Sequence, residues 1–109
     1  MADISKVKRA PVFVDIGDGI QRQLKYTLSS FARMETKYGS VDKAMDAMQA
    51  GSIKAVIFMI WAGIAHSDKD LTEEMVGDLI EMSELGEITT KMNAVMDLDL
   101  PDKTESPNE

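Results

Sequence analysis

The fold is decided by residues 57–76, which read IFMIWAGIAHSDKDLTEEMV. An apolar run ends here on His66, the only histidine of the chain, and an acidic turn follows at once. Because a helix that is apolar nearly all round must be covered on most sides, the helix that begins near Ile53 is predicted to lie at the centre of the domain. The run Ala55–Ala65 is about half of the roughly 20 apolar residues that a spanning helix needs, so no membrane contact is predicted.

A β-hairpin is predicted ahead of the helices. Apolar residues alternate along its first strand, at Val12, Val14 and Ile16. Residues 17–19, Gly-Asp-Gly, supply the turn, and four residues of one parity define the second strand: Ile20, Arg22, Leu24 and Tyr26. A helix is the alternative, because several apolar residues of segment 20–31 also have helical spacing. We favour the hairpin, with the first helix beginning near Leu28.

Caps and stops divide the rest of the chain into helices. The inner face of the first helix is predicted to hold Leu28, Phe31, Ala32, Glu35 and Tyr38. Gly39 and Gly51 suit helix ends, and good N-cap residues stand at Ser40, Ser52 and Thr72. A last helix is predicted over Glu84–Met96, with Gly86 weakening its start and four residues inward: Leu85, Ile88, Met92 and Val95. The fold class is therefore mainly α (α+β), an N-terminal β-hairpin followed by a bundle of about four to five short helices.

Length and charge set the broad class of the protein. A chain of 109 residues favours one domain, for which we expect a flexible arm at 1–10, the domain at 11–97 and a disordered acidic tail at 98–109. A net charge of −7 repels phosphates, so no nucleic-acid partner is predicted. The absence of cysteine excludes disulfides and thiolate metal sites and fits a reducing cytoplasm.

His66 is the one residue around which a metal or catalytic site could be built. A single imidazole beside two loop carboxylates, Asp68 and Asp70, is a weak set of ligands. A calcium loop starting at Asp68 fails because Leu79 stands where the final bidentate glutamate is needed. We therefore predict that His66 sits at the carboxyl end of the central helix, where the helix dipole favours a cation. We also predict no cofactor, no metal and no enzymatic activity.

Methionine and tryptophan are the residues that indicate a partner. The chain has nine methionines, which are flexible and polarizable enough to adapt to several partner sequences. They either fill gaps in the core or line a surface groove, and Met34, Met82 and Met96 are the better groove candidates because they lie off the main apolar stripes. Trp61 lies opposite the apolar stripe of its helix that is predicted to face the core, which consists of Ile53, Val56, Ile57, Ile60 and Ile64. Trp61 is therefore either a core residue or an anchor at an interface.

Three segments in a fixed order carry a resemblance to a known family. After the glycine-turn hairpin come LKYTLSSFARMETKYGS at 24–40, QAGS at 49–52 and VIFMIWAGIAHSDKDLTEEMVGDLI at 56–80. This order resembles the tail assembly chaperones of long-tailed (siphovirus-like) bacteriophages, and their relatives in prophages and gene transfer agents. The resemblance covers roughly residues 12–81, and the segments that carry it are packing and capping patterns.

The resemblance implies a protein that transforms no substrate. Such chaperones bind the long, helical, aggregation-prone tape measure protein in the cytoplasm of the bacterial host and keep it soluble until tail tube subunits polymerise around it. In many phages a ribosomal frameshift makes a longer form, whose extension recruits the tail tube protein, and this chain looks like the short form. The family is often self-associating, which implies a homo-oligomer, and it is not expected in the mature virion.

These expectations define a candidate binding surface on the last two helices. We hypothesise that it uses six residues: Trp61, Met75, Leu79, Met82, Met92 and Met96. One alternative is a small helical protein-binding adaptor or regulator unrelated to tail assembly, which its gene neighbourhood would distinguish. Another is a small hydrolase or metal-dependent enzyme that uses His66.

Overall fold

Five helices follow an N-terminal β-hairpin, which confirms the predicted fold class. The computed structural model describes the backbone of residues 10–99 and the side chains of residues 10–97. The elements are β1 (Phe13–Asp15), β2 (Gln21–Gln23), α1 (Leu28–Tyr38), α2 (Val41–Gln49), α3 (Ile53–Ile64), a 3₁₀ turn (Ala65–Ser67), α4 (Glu73–Leu79) and α5 (Met82–Asp99). The predicted arm up to residue 9 and the predicted tail from residue 100 lie outside the described residues. Of the helices within residues 10–99, none is both long and apolar enough to cross a membrane.

The hairpin forms where the sequence places it, and the helical alternative is wrong for residues 20–27, since α1 begins at Leu28 as predicted. β1 and β2 are antiparallel, with Val14 opposite Arg22 at the centre of the register. Gly17 and Gly19 both have positive φ, and both donate their backbone N–H to Asp15 Oδ1, at 2.8 and 3.0 Å. Glycine adopts this left-handed backbone without strain. Since the backbone of a right-handed helix has negative φ, no helix runs through these two positions.

The helix ends follow the capping residues of the sequence. The side chains of Ser40, Ser52 and Thr72 each accept a hydrogen bond from the first turn of α2, α3 and α4 respectively, as predicted. Gly39 ends α1 in the left-handed conformation with φ 97°. Thr27 caps α1 through a reciprocal pair of hydrogen bonds with Ser30, which the sequence analysis did not identify.

The central position predicted for α3 is confirmed, because eight of its residues are buried and the chain leaving β2 crosses it closely. Its backbone carbonyls accept three hydrogen bonds from this neighbouring segment. The Tyr26 hydroxyl donates to Met59 O at 2.7 Å, Ser30 Oγ donates to Ala62 O at 2.8 Å, and Lys25 N donates to Gly63 O at 2.8 Å. These bonds fix the hairpin and α1 against the same stretch of the central helix.

The inner face predicted for α1 is confirmed for Phe31 and Tyr38, which pack against the core, and is wrong for Leu28, Ala32 and Glu35, which are exposed. Ser30 and Met34 are the buried residues of α1, whereas Leu28 is 86% exposed. The polar Ser30 can face the core because its hydroxyl is satisfied by Ala62 O. Because Met34 lies one turn along the same face, its predicted place in a surface groove is wrong as well.

The last helix is longer than the predicted Glu84–Met96. α5 begins at Met82, where Glu84 N donates to Glu81 O at 2.8 Å, and it runs through Asp99, past the predicted domain end at 97. The predicted inward face is confirmed, since Ile88, Met92 and Val95 are buried and Leu85 is partly buried against the core.

Candidate partner-binding surface

His66 joins the hairpin to the end of the central helix. It lies in the 3₁₀ turn that follows α3, and its Nε2 is 2.9 Å from the carbonyl oxygen of Gln23, to which it donates. Among residues 10–99, no group of three or more histidine, aspartate or glutamate side chains is placed to hold a metal ion. The hydrogen bond of His66 therefore connects β2 to the 3₁₀ turn.

The acidic turn after His66 contributes to an ion cluster around the buried Arg22. Arg22 of β2 is 5% exposed, and its two terminal nitrogens donate to the two carboxylate oxygens of Asp18 at 3.0 and 2.9 Å. Arg22 Nη2 also lies 3.2 Å from Asp68 Oδ2. The hydrogen bonds from Arg22 hold the pKa of Asp18 below its ordinary value. Asp68 thus connects the turn to the hairpin. The sequence signal for this role is Arg22, a charged residue on the buried side of β2.

Trp61 packs inside a group of side chains from α1 and α3. Its Nε1 donates to Leu71 O at 2.8 Å, its ring centroid is 5.9 Å from that of Phe58, and the Arg33 guanidinium lies 5.1 Å from its ring centroid. Its single hydrogen-bond donor is thus satisfied within the molecule. This geometry favours the packing interpretation of Trp61 over the interface anchor.

The six candidate residues do not form one exposed surface. Met82 is 76% exposed, Met75 is 43% exposed and Leu79 is half-buried, whereas Met92 and Met96 are 0% and 1% exposed. The interpretation of Met96 as an off-stripe surface residue is wrong, because it lies four residues after Met92 and shares its buried face. The partner-binding role of the six stays a prediction. Of the six, Met75 and Met82 are the exposed residues.

A mostly apolar groove opens where α3, α4 and α5 meet, and we call it the isoleucine groove. Its volume is about 220 Å³, and it is lined by Ile53, Val56, Ile57, Ile60, Gly77, Ile80, Glu81, Met82 and Leu85. Ile60 and Val56 are buried, whereas Ile53 and Met82 at the rim are 53% and 76% exposed. Gly77 allows α4 to approach α3, since a Cβ there would lie 3.1 Å from Ile57 Cδ1.

A second groove lies between α2 and α5, and we call it the methionine groove. Its volume is about 450 Å³, and it is lined by Met45, Met48, Gln49, Val56, Thr89, Met92, Asn93, Met96 and Asp97. Met92 and Met96 therefore border a groove although little of their surface is exposed. Of the six candidates, the structure thus places Met82 at the isoleucine groove and Met92 and Met96 at the methionine groove. Trp61, Met75 and Leu79 line neither.

Sequence reasoning missed the isoleucines of the first groove because it assigned them to the core. Ile53 and Ile57 belong to the apolar stripe of α3, and Ile80 directly follows α4. The available signal was that Ile53 is the first residue of α3. A residue at the end of a helix can lie beyond the neighbouring elements that cover the centre of the helix.

Comparison of the chain with models of protein families, with curated proteins and with solved structures found no match. Its function is therefore inferred from the two grooves and from the residue pattern of the sequence.

Proposed function

We propose that this chain is a non-enzymatic tail assembly chaperone of a long-tailed phage or prophage. In this proposal it binds apolar segments of the helical tape measure protein in the host cytoplasm and keeps that protein soluble until tail tube subunits polymerise around it. The observation that carries the proposal is the isoleucine groove, an apolar floor between the exposed rim residues Ile53 and Met82.

The chemistry of the groove suits a partner of variable sequence. Apolar contact is non-directional, so an apolar groove accepts many sequences that present a complementary surface. Methionine adapts its shape because its unbranched side chain has three rotatable bonds, which favours Met82 as a rim residue. A net charge of −7 keeps a complex with an aggregation-prone client soluble through mutual repulsion.

Other parts of the proposal come from the resemblance. They are recruitment of the tail tube protein through a longer frameshifted form, self-association, and absence from the mature virion. Gene order tests the assignment cheaply: the gene is expected between a tail tube gene and a very long tape measure gene.

Co-expression with the tape measure protein encoded beside it tests the binding role. The double variant Ile53→Glu, Met82→Glu is expected to move most of the tape measure protein into the insoluble fraction, because it places two charges on the rim of an apolar groove. Leu28→Glu is the matched control. Leu28, Ile53 and Met82 are each the first residue of a helix and each highly exposed, but Leu28 lines neither groove.

Glutamate is favoured at the first position of a helix, so all of these variants are expected to fold. Unchanged solubility of the tape measure protein with the double variant contradicts the proposed site. Equal loss with Leu28→Glu contradicts it too, because it would mean that surface charge matters and the groove does not. Solubility that is the same with and without the wild-type chain contradicts the proposed function itself.

A further inference from the structure

Large exposed apolar side chains border the isoleucine groove. At its rim, Ile53 and Met82 are 53% and 76% exposed. Three more of its lining residues are only partly buried: Ile57, Ile80 and Leu85. The methionine groove differs, because its residues Met92 and Met96 are 0% and 1% exposed and belong to the packed core. An apolar ligand therefore finds accessible apolar surface at the isoleucine groove.

The size and lining of this groove limit the ligand group that it can hold. About 220 Å³ is less than the roughly 300–1,000 Å³ of typical small-molecule sites, and it suits a single large side chain that enters as an anchor. Within the described part of the chain, the side chains that line it are apolar except for Glu81. An apolar side chain of a polypeptide fits such a lining, because it needs no hydrogen bond there.

The charge beside the groove is negative. Glu81 is exposed and forms no ion pair with another described residue. Asp78 and Glu84, three residues to either side of it, are also exposed and make no ion pair within residues 10–97. Because complementary charge favours association and like charge opposes it, a basic residue next to the anchor is favoured and an acidic one is disfavoured.

We propose that the isoleucine groove binds one large apolar side chain of a client segment that carries lysine or arginine within the next few residues. The anchoring side chain covers the exposed parts of Ile53 and Met82, and the basic residue pairs with Glu81. The inference rests on the proposed function, because the segment belongs to the client that the chaperone holds. It goes further by assigning the chemistry of that segment, a single apolar anchor with basic neighbours.

The probe is the synthetic peptide acetyl-Ala-Ala-Leu-Lys-Lys-Ala-amide, titrated into the full chain with isotopically labelled isoleucine methyl groups. Nuclear magnetic resonance then reports on each isoleucine separately. We expect shifts of the methyl signals of the isoleucines that line the groove: Ile53, Ile57, Ile60 and Ile80. Ile20 is the matched control and is expected not to shift, because it is 53% exposed like Ile53 but lines neither groove.

Two control peptides separate the anchor from the charge. Replacing the leucine by alanine is expected to weaken binding at least about tenfold, because the apolar area that enters the groove is lost. Replacing both lysines by glutamate is expected to weaken binding about three- to tenfold at low salt. Equal binding of the alanine peptide overturns the proposal, and so do shifts of Ile20 as large as those of Ile53, because binding would then not depend on the groove.

Charge reversal on the protein tests the pairing with Glu81. Glu81→Lys is expected to weaken the lysine peptide about three- to tenfold and to strengthen the glutamate peptide. Glu35→Lys, at an exposed residue of α1 that lines neither groove, makes the same change in net charge and is expected to leave both affinities within about twofold. Both residues are exposed, so folding is preserved. Equal effects of the two variants overturn the pairing, because net charge would then explain binding.

A second copy of this chain is the competing occupant of the groove. It would shift the methyl signals of the four groove isoleucines when the chain alone is concentrated, and the peptide would add no further shift. That result overturns the proposed client segment.

Failure of this inference is distinguishable from failure of the proposed function. If the peptides do not bind but the double variant at Ile53 and Met82 still leaves the tape measure protein insoluble, the function stands and the assigned anchor chemistry is wrong. If the peptides bind as expected but the double variant keeps the tape measure protein soluble, the groove binds such anchors and the proposed function is wrong.

Discussion

Replacing Gly63 by alanine tests how closely the hairpin exit packs on the central helix. A Cβ at this position would lie 2.7 Å from Leu24 Cδ1 and 2.9 Å from Tyr26 Cζ, well inside van der Waals contact. Neither neighbour can retreat easily. Leu24 and Tyr26 are buried, the Tyr26 hydroxyl is bonded to Met59 O, and Lys25 N between them is bonded to Gly63 O.

The expected change in stability is the balance of two opposing effects. Alanine favours a helix interior over glycine by about 1 kcal/mol. Overpacking a filled core costs about 1–3 kcal/mol, and displacement of the tyrosine ring from its hydrogen bond adds about 1 kcal/mol. We therefore expect Gly63→Ala to lower the free energy of unfolding by about 1–3 kcal/mol, and the melting temperature by roughly 4–8 °C for each kcal/mol.

Gly86→Ala is the matched control, because among the described residues no heavy atom lies within 4 Å of the added Cβ apart from its chain neighbours and the backbone of α5. It is expected to raise the free energy of unfolding by about 0.5–1 kcal/mol. Urea unfolding followed by the fluorescence of Trp61 and by circular dichroism measures both variants. If Gly63→Ala is as stable as the wild type, the close contact between the hairpin exit and α3 is wrong.

Two further predictions concern the ion cluster and the tryptophan. Because the hydrogen bonds from Arg22 lower the pKa of Asp18, its carboxylate stabilises the fold at pH values well above its ordinary pKa, and this contribution is lost as the pH falls through the lowered folded-state pKa. Asp18→Asn should therefore flatten the fall in unfolding free energy below about pH 5 in urea titrations. An unchanged pH dependence contradicts this. Trp61→Phe removes the donor to Leu71 O and should lower the free energy of unfolding by about 1–2 kcal/mol, measured by thermal unfolding. Arg33→Ala removes only the contact with the ring and should lower it by about 0.5–1 kcal/mol. Two variants as stable as the wild type would refute the packing role of Trp61.

Features of the fold that depend on neighbouring residues were predictable from the sequence. Ser52 and Thr72 cap their helices because a cap needs only its own side chain and the next turn. The turn at Gly17 and Gly19 is local in the same sense. The orientation of α1 was not predictable in this way, because Ser30 reaches the core through a bond to Ala62, which is far away in the sequence.

The candidate site was predictable only in part, for a related reason. Sequence periodicity identifies Met92 as a residue of the apolar face of α5, but it does not separate a sealed core from a groove that this face borders. That distinction depends on how α2, α3 and α5 are spaced. The isoleucine groove likewise arises from the relative positions of three helices, with Gly77 setting how near α4 comes to α3.

Exposure alone does not identify a binding surface in this molecule. Leu28, Ile53 and Met82 each place a large apolar side chain at the first position of a helix, where a small polar or acidic residue would favour both solubility and helix formation. Isolated exposed apolar residues are common on proteins and need no functional explanation. Leu28 fits that description, whereas Ile53 and Met82 line one groove together with the buried Ile60. A difference between the variants at Leu28 and those at the groove therefore measures what the floor contributes, apart from the general effect of an exposed apolar side chain.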